Sequence, residues 1–235
     1  MGNDVLIRPR GPEERRAWAE RSAERTLAPR YSAYVGEIRR LIEAGLVVMR
    51  KSGGVDPRVG EIVREAGLSN QAFYRHFKSK DELLLAILDD GTRELEGYLE
   101  HRMASAATPL ERVRRWVEGM VAQATHARAA DATRPFVVHR ARLAERFPDD
   151  IARATEVLVA PLRRALDEAS EAGALIGCEP ALDAAAIHQL AMGWMESKLL
   201  ERSAPSAAEA GHIVDFALRG LRREPRREGG ERGGA

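Results

Sequence analysis

The chain has 235 residues and a formal net charge of +1, and 44% of its residues are hydrophobic while 31% are charged. This balance allows a buried core and excludes a globally disordered chain. Ala, Leu, Arg and Glu dominate while β-branched and aromatic residues are sparse, so the composition predicts an all-α protein.

The first 30 residues are polar and rich in arginine. Residues 1–80 hold 16 Lys and Arg against 10 Asp and Glu, whereas residues 81–235 hold 21 against 26. This asymmetry favours a polyanion-binding N-terminal part joined to an acidic remainder. Pro12 is well placed in the first turn of a short helix. Residues 1–30 are therefore predicted to form an arm, which is either solvated and frayed or reaches the backbone or minor groove of DNA.

Three short helices are predicted to follow, over residues 31–51, from Asp56-Pro57 to Ala66, and over residues 70–77. Ser52-Gly53-Gly54 ends the first, and Asp56-Pro57 supplies an N-cap and a proline at the first helical position of the second. Gly67 can adopt the left-handed conformation that ends the second helix, and Ser69 can cap the third. We therefore expect a three-helix helix-turn-helix domain over residues 31–80.

The third helix has an apolar face and a polar face. Phe73 and Phe77 are four residues apart and would join the core of the domain. The other side carries amide, hydroxyl and basic groups, namely Asn70, Gln71, Tyr74 and Arg75, with His76 at its edge. Amides and guanidinium groups can bond base edges, whereas hydroxyl and imidazole groups can bond phosphates. Lys80 lies at the start of the next helix, where free backbone amides also favour a phosphate.

Three of these residues also have a purely structural interpretation. Tyr74 could belong to the core, His76 could be a structural histidine, and Lys80 could be a solvated residue at a helix start. Taken together, the residues of this segment predict a surface that contacts DNA.

The segment LSNQAFYRHFKSKDELL resembles the DNA-binding signature of the TetR (tetracycline-repressor-type) regulators. The matching elements are Ala66-Gly67-Leu68-Ser69, the aromatic residues Phe73, Tyr74 and Phe77, and Lys78-Ser79-Lys80-Asp81-Glu82-Leu83. The resemblance is close over about residues 34–90 and extends further only as helix lengths and the GALIGCEP turn. It implies a homodimer in which a fourth helix links the DNA-binding domain to a ligand-binding domain. The last two helices would pair with those of the partner.

Carried over residue by residue, Tyr74 and Lys80 fall where the family contacts phosphate, and Asn70, Gln71 and Ala72 fall where it contacts bases. The chain departs from the family at two positions. A hydroxyl residue often stands at position 58, and a glycine often stands at position 71. The predicted DNA contacts are Arg58, Ser69, Asn70, Gln71, Ala72, Tyr74, Arg75, His76 and Lys80.

A helical C-terminal domain is predicted over residues 81–222. Ser79 and Glu82 have the spacing of a capping box that opens a fourth helix, and Thr108 and Glu111 have the same spacing before a fifth. Further helices are predicted over residues 135–147, 149–173 with a kink at Pro161, 180–202 and 206–222. The tail, residues 223–235, is predicted to be disordered.

Helical domains bind small molecules between helices, in sites lined by apolar groups and a few polar ones. The candidate effector-binding residues are Trp116, Met120, Phe136, His139, Arg140, Gln189 and Trp194. The alternative is that these are ordinary core or surface residues. The expected effector is an unidentified and largely apolar small molecule, and His139 or Arg140 would suit an anionic group on it.

Apolar residues recur on the last two helices, at Ile187, Leu190, Ala191, Trp194, Ile213, Val214, Ala217 and Leu218. They could form a core within one chain. The family resemblance favours a dimer interface, with a two-fold axis that matches a near-palindromic DNA site.

Motifs of enzymes are absent from the sequence, which has no phosphate-binding glycine loop, HExxH, GxSxG or CxxC. The six histidines include no pair at i, i+4, and Cys178 is the only cysteine, so we expect no metal site and no disulfide. We expect no cofactor. Without an apolar run near the ~20 residues of a membrane helix, or a secretory signal, a cytoplasmic protein with no membrane partner is expected.

The sequence therefore predicts an all-α, sequence-specific DNA-binding transcriptional regulator. In the favoured interpretation it is a repressor that a small-molecule effector releases from a palindromic, double-stranded DNA operator. The alternatives are an activator or a regulator that requires its ligand, or, in a different class, a helical small-molecule-binding or scaffold protein without DNA binding.

Overall fold

The computed structural model describes residues 11–52 and 56–222, and within these ranges it contains nine helices and no strand. The helices are α1 Pro12–Lys51, α2 Val59–Ala66, α3 Asn70–His76, α4 Lys80–Ala104, α5 Pro109–Thr125, α6 Ala127–Arg146, α7 Pro148–Glu171, α8 Pro180–Glu201 and α9 Ala207–Gly220. The all-α prediction is confirmed. In the part of the chain that is described, no helix is both long and apolar enough to cross a membrane.

Side-chain caps fix the starts of several helices, as their sequence spacing predicts. Ser69 Oγ accepts a hydrogen bond from the amide of Ala72 at 3.1 Å and starts α3. Ser79 Oγ accepts from the amide of Glu82 at 3.2 Å and starts α4. Gly67, at φ 63°, ends α2 in the left-handed conformation. These bonds satisfy backbone groups that a helix end would otherwise leave unpaired.

The start of α2 differs from the prediction. The helix begins at Val59 with Arg58 at the N-cap, so Asp56 and Pro57 lie before it. The amide of Arg58 donates to the Glu61 carboxylate at 3.1 Å. Because the Glu61 carboxylate already accepts the hydrogen bond at the start of the helix, the carboxylate of Asp56 is available to bind side chains elsewhere.

The first helix is much longer than predicted. α1 is a single helix of 40 residues, so the arm boundary at residue 30 falls within it. Pro29 lies inside the helix, where the surrounding Ala, Arg and Glu residues have high helix propensity. Residues 1–10 of the predicted arm, residues 53–55 with the Gly53-Gly54 stop, and the predicted tail at 223–235 lie outside the described residues.

The sixth helix also begins earlier than predicted, at Ala127 instead of Pro135. Its first turn is closed by a bond of 2.9 Å from the amide of Ala130 to the carbonyl of His126. Pro135 is buried inside the helix. This extension matters because α6 contacts both parts of the molecule.

Two main hydrophobic cores organise the chain. The N-terminal core is formed by α1 to α4 around fully buried Leu41, Ile62 and Phe73, and it also includes Leu143 from α6. The C-terminal core joins α4, α5, α7, α8 and α9 around Trp116. Since α4 contributes to both cores and α6 reaches into the first, these two helices connect the N-terminal domain to the C-terminal domain.

Candidate nucleic-acid interface and ligand cavity

The polar face of α3 lies on the surface. Asn70, Gln71 and Arg75 are exposed, and Tyr74 is 60% exposed. Phe73, on the opposite face, is fully buried in the N-terminal core. The helix is thereby anchored by its apolar side while its amide and hydroxyl groups face outward.

Two of the predicted contact residues do not share this exposure. Ala72 is 6% exposed and packs into the N-terminal domain. The His76 side chain has no exposed surface, and its Nε2 lies 2.6 Å from Glu37 Oε2. The side chain of Ser69 caps α3, and Arg58 is exposed at the start of α2. The expectation that Ala72 and His76 face DNA is therefore corrected, because both are occupied in packing.

Glu37 of α1 ties the end of α3 to the first helix. Its Oε2 also accepts a hydrogen bond of 2.5 Å from Arg75 Nη2, and the His76 ring packs edge-on against Tyr34 with centroids 4.3 Å apart. The hydrogen bonds from His76 and then Arg75 hold the pKa of Glu37 below its ordinary value. This carboxylate is therefore ionised near neutral pH and orients Arg75.

Lys80 lies at the first position of α4, beside the exposed face of α3. Its Nζ forms an ion pair with Asp56 Oδ2. Asp56 also accepts a hydrogen bond of 2.9 Å from Arg142 Nη2 of α6. The predicted phosphate contact thus already has a carboxylate partner, and that partner is shared with the C-terminal domain.

A cavity of about 800 Å³ lies between α1, α4, α5, α6, α7 and α8. Its walls are mostly apolar and include Ile42, Leu46, Ile87, Leu88, Leu95, Phe136, Val137, Ile151, Leu158, Met192 and Met195. Polar and charged side chains also contribute to the wall. Thr133 donates to Gln123 Oε1 at 3.2 Å, and Arg140 Nη1 lies 3.2 Å from Glu196 Oε1. A cavity of this size, with a mostly apolar wall and polar groups within it, is typical of a small-molecule site.

The structure places two of the seven predicted effector residues, Phe136 and Arg140, on the cavity wall. The other five lie elsewhere. Trp116 and Met120 are fully buried in the C-terminal core, where the Trp116 indole donates to the carbonyl of Leu158 at 3.0 Å. His139 is buried beside Arg142, and burial followed by the charge of Arg142 lowers its pKa.

Gln189 and Trp194 of α8 also lie away from the cavity wall, since Gln189 is exposed and Trp194 is half-buried against the C-terminal core. Sequence analysis missed the contribution of α1 through Ile42 and Leu46. Their helical spacing predicts burial, but no sequence signal distinguishes a residue that fills a core from one that lines an open space.

The predicted dimer residues lie mainly on the inner side of α8 and α9. Four are buried in the chain's own C-terminal core, namely Ile187, Ala191, Val214 and Ala217. The other four are half-buried and pack against that core, namely Leu190, Trp194, Ile213 and Leu218. The outward sides of these helices carry exposed Leu182, Leu200 and Phe216 instead.

Residues 41–87, which hold α2, α3 and the flanking parts of α1 and α4, match the family of bacterial regulatory proteins described as the tetR family. The HTH-type transcriptional regulator BetI of Brucella canis is 36% identical over 75 residues, which is 32% of this chain and 38% of that protein. Residues 41–87 are therefore similar to the DNA-binding segment of TetR-family regulators. The match to this relative is confined to 38% of the relative's length.

Solved TetR-family structures share the fold of the larger part of the chain. A putative TetR-family transcriptional regulator from Rhodococcus sp. superposes with a TM-score of 0.66 at 21% identity, covering 79% of this chain and 98% of that one. The transcriptional regulator FadR from Bacillus subtilis, in complex with stearoyl-CoA, superposes with a TM-score of 0.60 at 17% identity, covering 78% and 98%. These likenesses extend the TetR-family fold from the matched segment into the C-terminal domain.

Proposed function

We propose that this chain is a sequence-specific DNA-binding transcriptional regulator of the TetR type, which places α3 in the major groove. The observation that carries the proposal is the orientation of α3, which is anchored by buried Phe73 and presents Asn70, Gln71 and Tyr74 to solvent. Asn and Gln can bond the edges of adenine, while a tyrosine hydroxyl and a lysine can hold the flanking phosphates. We assign base contacts to Asn70 and Gln71, and phosphate contacts to Tyr74 and Lys80.

The cavity supports control by a small, largely apolar effector. Its wall includes Ile42 and Leu46 of α1 and Gly91 of α4, so a bound molecule would touch the helices that carry the N-terminal domain. An effector that binds better to one arrangement of the two domains would shift the population toward it. We favour a repressor whose effector stabilises an arrangement unable to bind DNA. An activator, or a regulator that requires its ligand, would use the same cavity, but its ligand would stabilise the arrangement that binds DNA.

The exposed apolar side chains of α8 and α9 support a homodimer. Leu182, Leu200 and Phe216 are each more than half exposed in the single chain, and apolar surface of this kind is favourable to bury against a second copy. A two-fold dimer would present its two α3 helices about 34–36 Å apart, or at another separation that matches the groove, on a near-palindromic site.

The N-terminal extension of α1 supports an additional contact with DNA. This extension precedes Tyr34, which packs against His76 at the end of α3. It carries exposed Trp18, Arg21 and Arg25, which lie on one helical face at positions i, i+3 and i+7. We propose that this face lies along phosphates that flank the α3 site. Deleting residues 1–25 should then weaken binding and reduce its salt dependence, and unchanged binding would contradict the proposal.

A mobility-shift titration on the DNA upstream of the chain's own gene, repeated over a salt series, tests the proposed function. The wild-type protein should bind in preference to a scrambled DNA of equal length. Tyr74→Phe and Lys80→Ala should each weaken binding to all sequences, and Lys80→Ala should reduce the salt slope by about one. A chain that binds neither DNA at low salt would instead be a helical small-molecule-binding or scaffold protein.

A further inference from the structure

One carboxylate connects the proposed phosphate contact to the helix that lines the cavity. Asp56 Oδ2 pairs with Lys80 Nζ, and Asp56 Oδ1 accepts the 2.9 Å hydrogen bond from Arg142 Nη2. Burial tends to raise the pKa of Asp56, but the hydrogen bonds from Arg142 and Lys80 outweigh it and lower the pKa overall. Asp56 is therefore ionised at neutral pH, and it pairs with one cation from each domain, Lys80 and Arg142.

The C-terminal half of α6 is firmly attached to the N-terminal domain at this point. Arg142 Nη2 also lies 3.1 Å from Asp81 Oδ1, and Arg146 pairs with the other oxygen of Asp81. Between the two arginines, Leu143 is 1% exposed and belongs to the N-terminal core. Since Phe136 and Arg140 of the same helix line the cavity, one rigid element contacts both the ligand space and Asp56.

The ion pair with Asp56 is a competitor of any phosphate that Lys80 would bind. An ammonium group bonded to a carboxylate has to release or share it before it can bond a phosphate strongly. Arg142 donates to the same carboxylate and so balances part of its negative charge. If Arg142 moved away, Asp56 would be balanced by Lys80 alone and would hold it more strongly.

We propose that Asp56 and Arg142 are positioning residues for DNA binding: Asp56 competes with phosphate for Lys80, and Arg142 of α6 weakens that competition. The inference rests on the proposed phosphate contact of Lys80. It connects the cavity to the DNA-binding surface through α6, which lines the cavity with Phe136 and Arg140 and reaches Asp56 with Arg142. A ligand that shifts α6 and withdraws Arg142 from Asp56 would lower DNA affinity without moving α3.

A double-mutant cycle on the full chain tests this, using mobility shift on the upstream DNA at low salt, where charge effects are least screened. Asp56→Asn should tighten binding and Arg142→Gln should weaken it, each by about two- to five-fold. The double variant should bind as tightly as Asp56→Asn alone, because Arg142 acts through Asp56. Additive effects of the two substitutions would overturn the proposal.

Asp56→Asn and Arg142→Gln should also be made in the Lys80→Ala variant. This experiment distinguishes the proposed role of the two residues from a purely structural one. Without Lys80, neither Asp56→Asn nor Arg142→Gln should alter DNA affinity. An effect that persists in this background would contradict the proposal. Thermal unfolding of every variant separates lost affinity from lost fold.

Two variants serve as matched controls. Glu65→Gln removes a carboxylate of the N-terminal domain that pairs with Lys51 at 3.0 Å, so it matches the charge change of Asp56→Asn without freeing Lys80. Arg146→Gln removes an attachment of α6 to Asp81 but leaves Asp56 untouched. Both should bind DNA within a factor of two of wild type, and an effect of Arg146→Gln equal to that of Arg142→Gln would refute the role of Asp56.

The outcomes also separate this inference from the proposed function. Failure of the wild type to bind DNA removes the regulator proposal. Binding by the wild type that is unchanged in Lys80→Ala refutes the phosphate assignment and the inference together. Binding that requires Lys80 but is indifferent to Asp56→Asn refutes the inference alone.

Discussion

The exposed face of α3 and the cavity differ in how the chain assembles them. The α3 surface comes from one continuous segment, residues 69–80, whose caps and polar groups are neighbours in sequence. The cavity collects residues from six helices, between Ile42 and Glu196. The first can be recognised from local patterns, whereas the second exists only once helices have packed. Experiments that disturb each region separately therefore test this difference.

The largest effect is expected from removing the anchor of α3. Phe73→Ala should destabilise the N-terminal domain by about 3–5 kcal/mol, because it empties a fully buried site. Denaturant unfolding followed by circular dichroism measures the loss, and DNA binding should disappear with it. Val138→Ala, at a position that is 42% exposed on α6, is the control and should change stability by at most about 0.5 kcal/mol. Normal DNA binding by Phe73→Ala would show that the anchor is dispensable.

A pH-dependent loss of stability should arise in the C-terminal domain. His188 is 1% exposed, and its Nε2 has no hydrogen-bond partner among the described residues. Burial, followed by the charge of Arg140, lowers the pKa of His188 to about 4. The unfolded chain therefore binds an extra proton between about pH 6.5 and pH 4, so stability is complete above that window and falls as pH decreases through it.

The size of this loss approaches roughly 3 kcal/mol at the acid end. Unfolding midpoints of wild type and His188→Leu should be compared at pH 7 and at pH 4.5. The variant should lose less stability than the wild type over this interval. Equal losses would show that His188 does not titrate in this window.

A smaller effect, which depends on the DNA sequence, is expected from a substitution on the exposed face of α3. Gln71 is exposed, and its replacement by alanine should cost about 1–3 kcal/mol at the base pair that it contacts and little elsewhere. Binding to a library of single-base operator variants measures the preference. A uniform loss across all variants would assign Gln71 to phosphate contacts instead.

The smallest effect is expected from a substitution in the cavity. Ala132 lines the cavity whereas Ala141, on the same helix, is exposed. Ala132→Trp should fill part of the space and weaken binding of the fluorescent probe anilinonaphthalenesulfonate, an anion with large apolar rings, by about ten-fold, close to 1.4 kcal/mol. Ala141→Trp should leave the affinity for the probe unchanged. Similar affinities for both variants would place the probe outside the cavity.

The two regions were also predictable to different degrees. Capping and turn residues at Ser69, Ser79 and Gly67 gave the helix boundaries around α3, because these signals act within a few residues. Exposure of Tyr74 and burial of Phe73 followed from helical periodicity. Burial of His76 did not, since it depends on Glu37 and Tyr34, about 40 residues earlier in the chain.

Prediction was weaker in the C-terminal domain for a physical reason. Trp116 and Phe136 are both large and apolar, yet one completes a core and the other lines an open space. Whether a gap remains between two helices depends on the side chains that every neighbouring helix brings to it. The same applies to α8 and α9, where the apolar residues that the family resemblance assigned to a dimer interface lie in or against the chain's own core, while Leu182 and Phe216 are exposed.

The sequence alone determined the all-α class, the helix-turn-helix segment and its family, because these depend on propensity, capping and spacing within short stretches. Only the tertiary structure decided that α1 continues through residue 30, that α6 enters the N-terminal core through Leu143, and that Asp56 lies between Lys80 and Arg142. Such contacts join residues up to 86 positions apart. They depend on how whole helices pack, and no local pattern of residues encodes that packing.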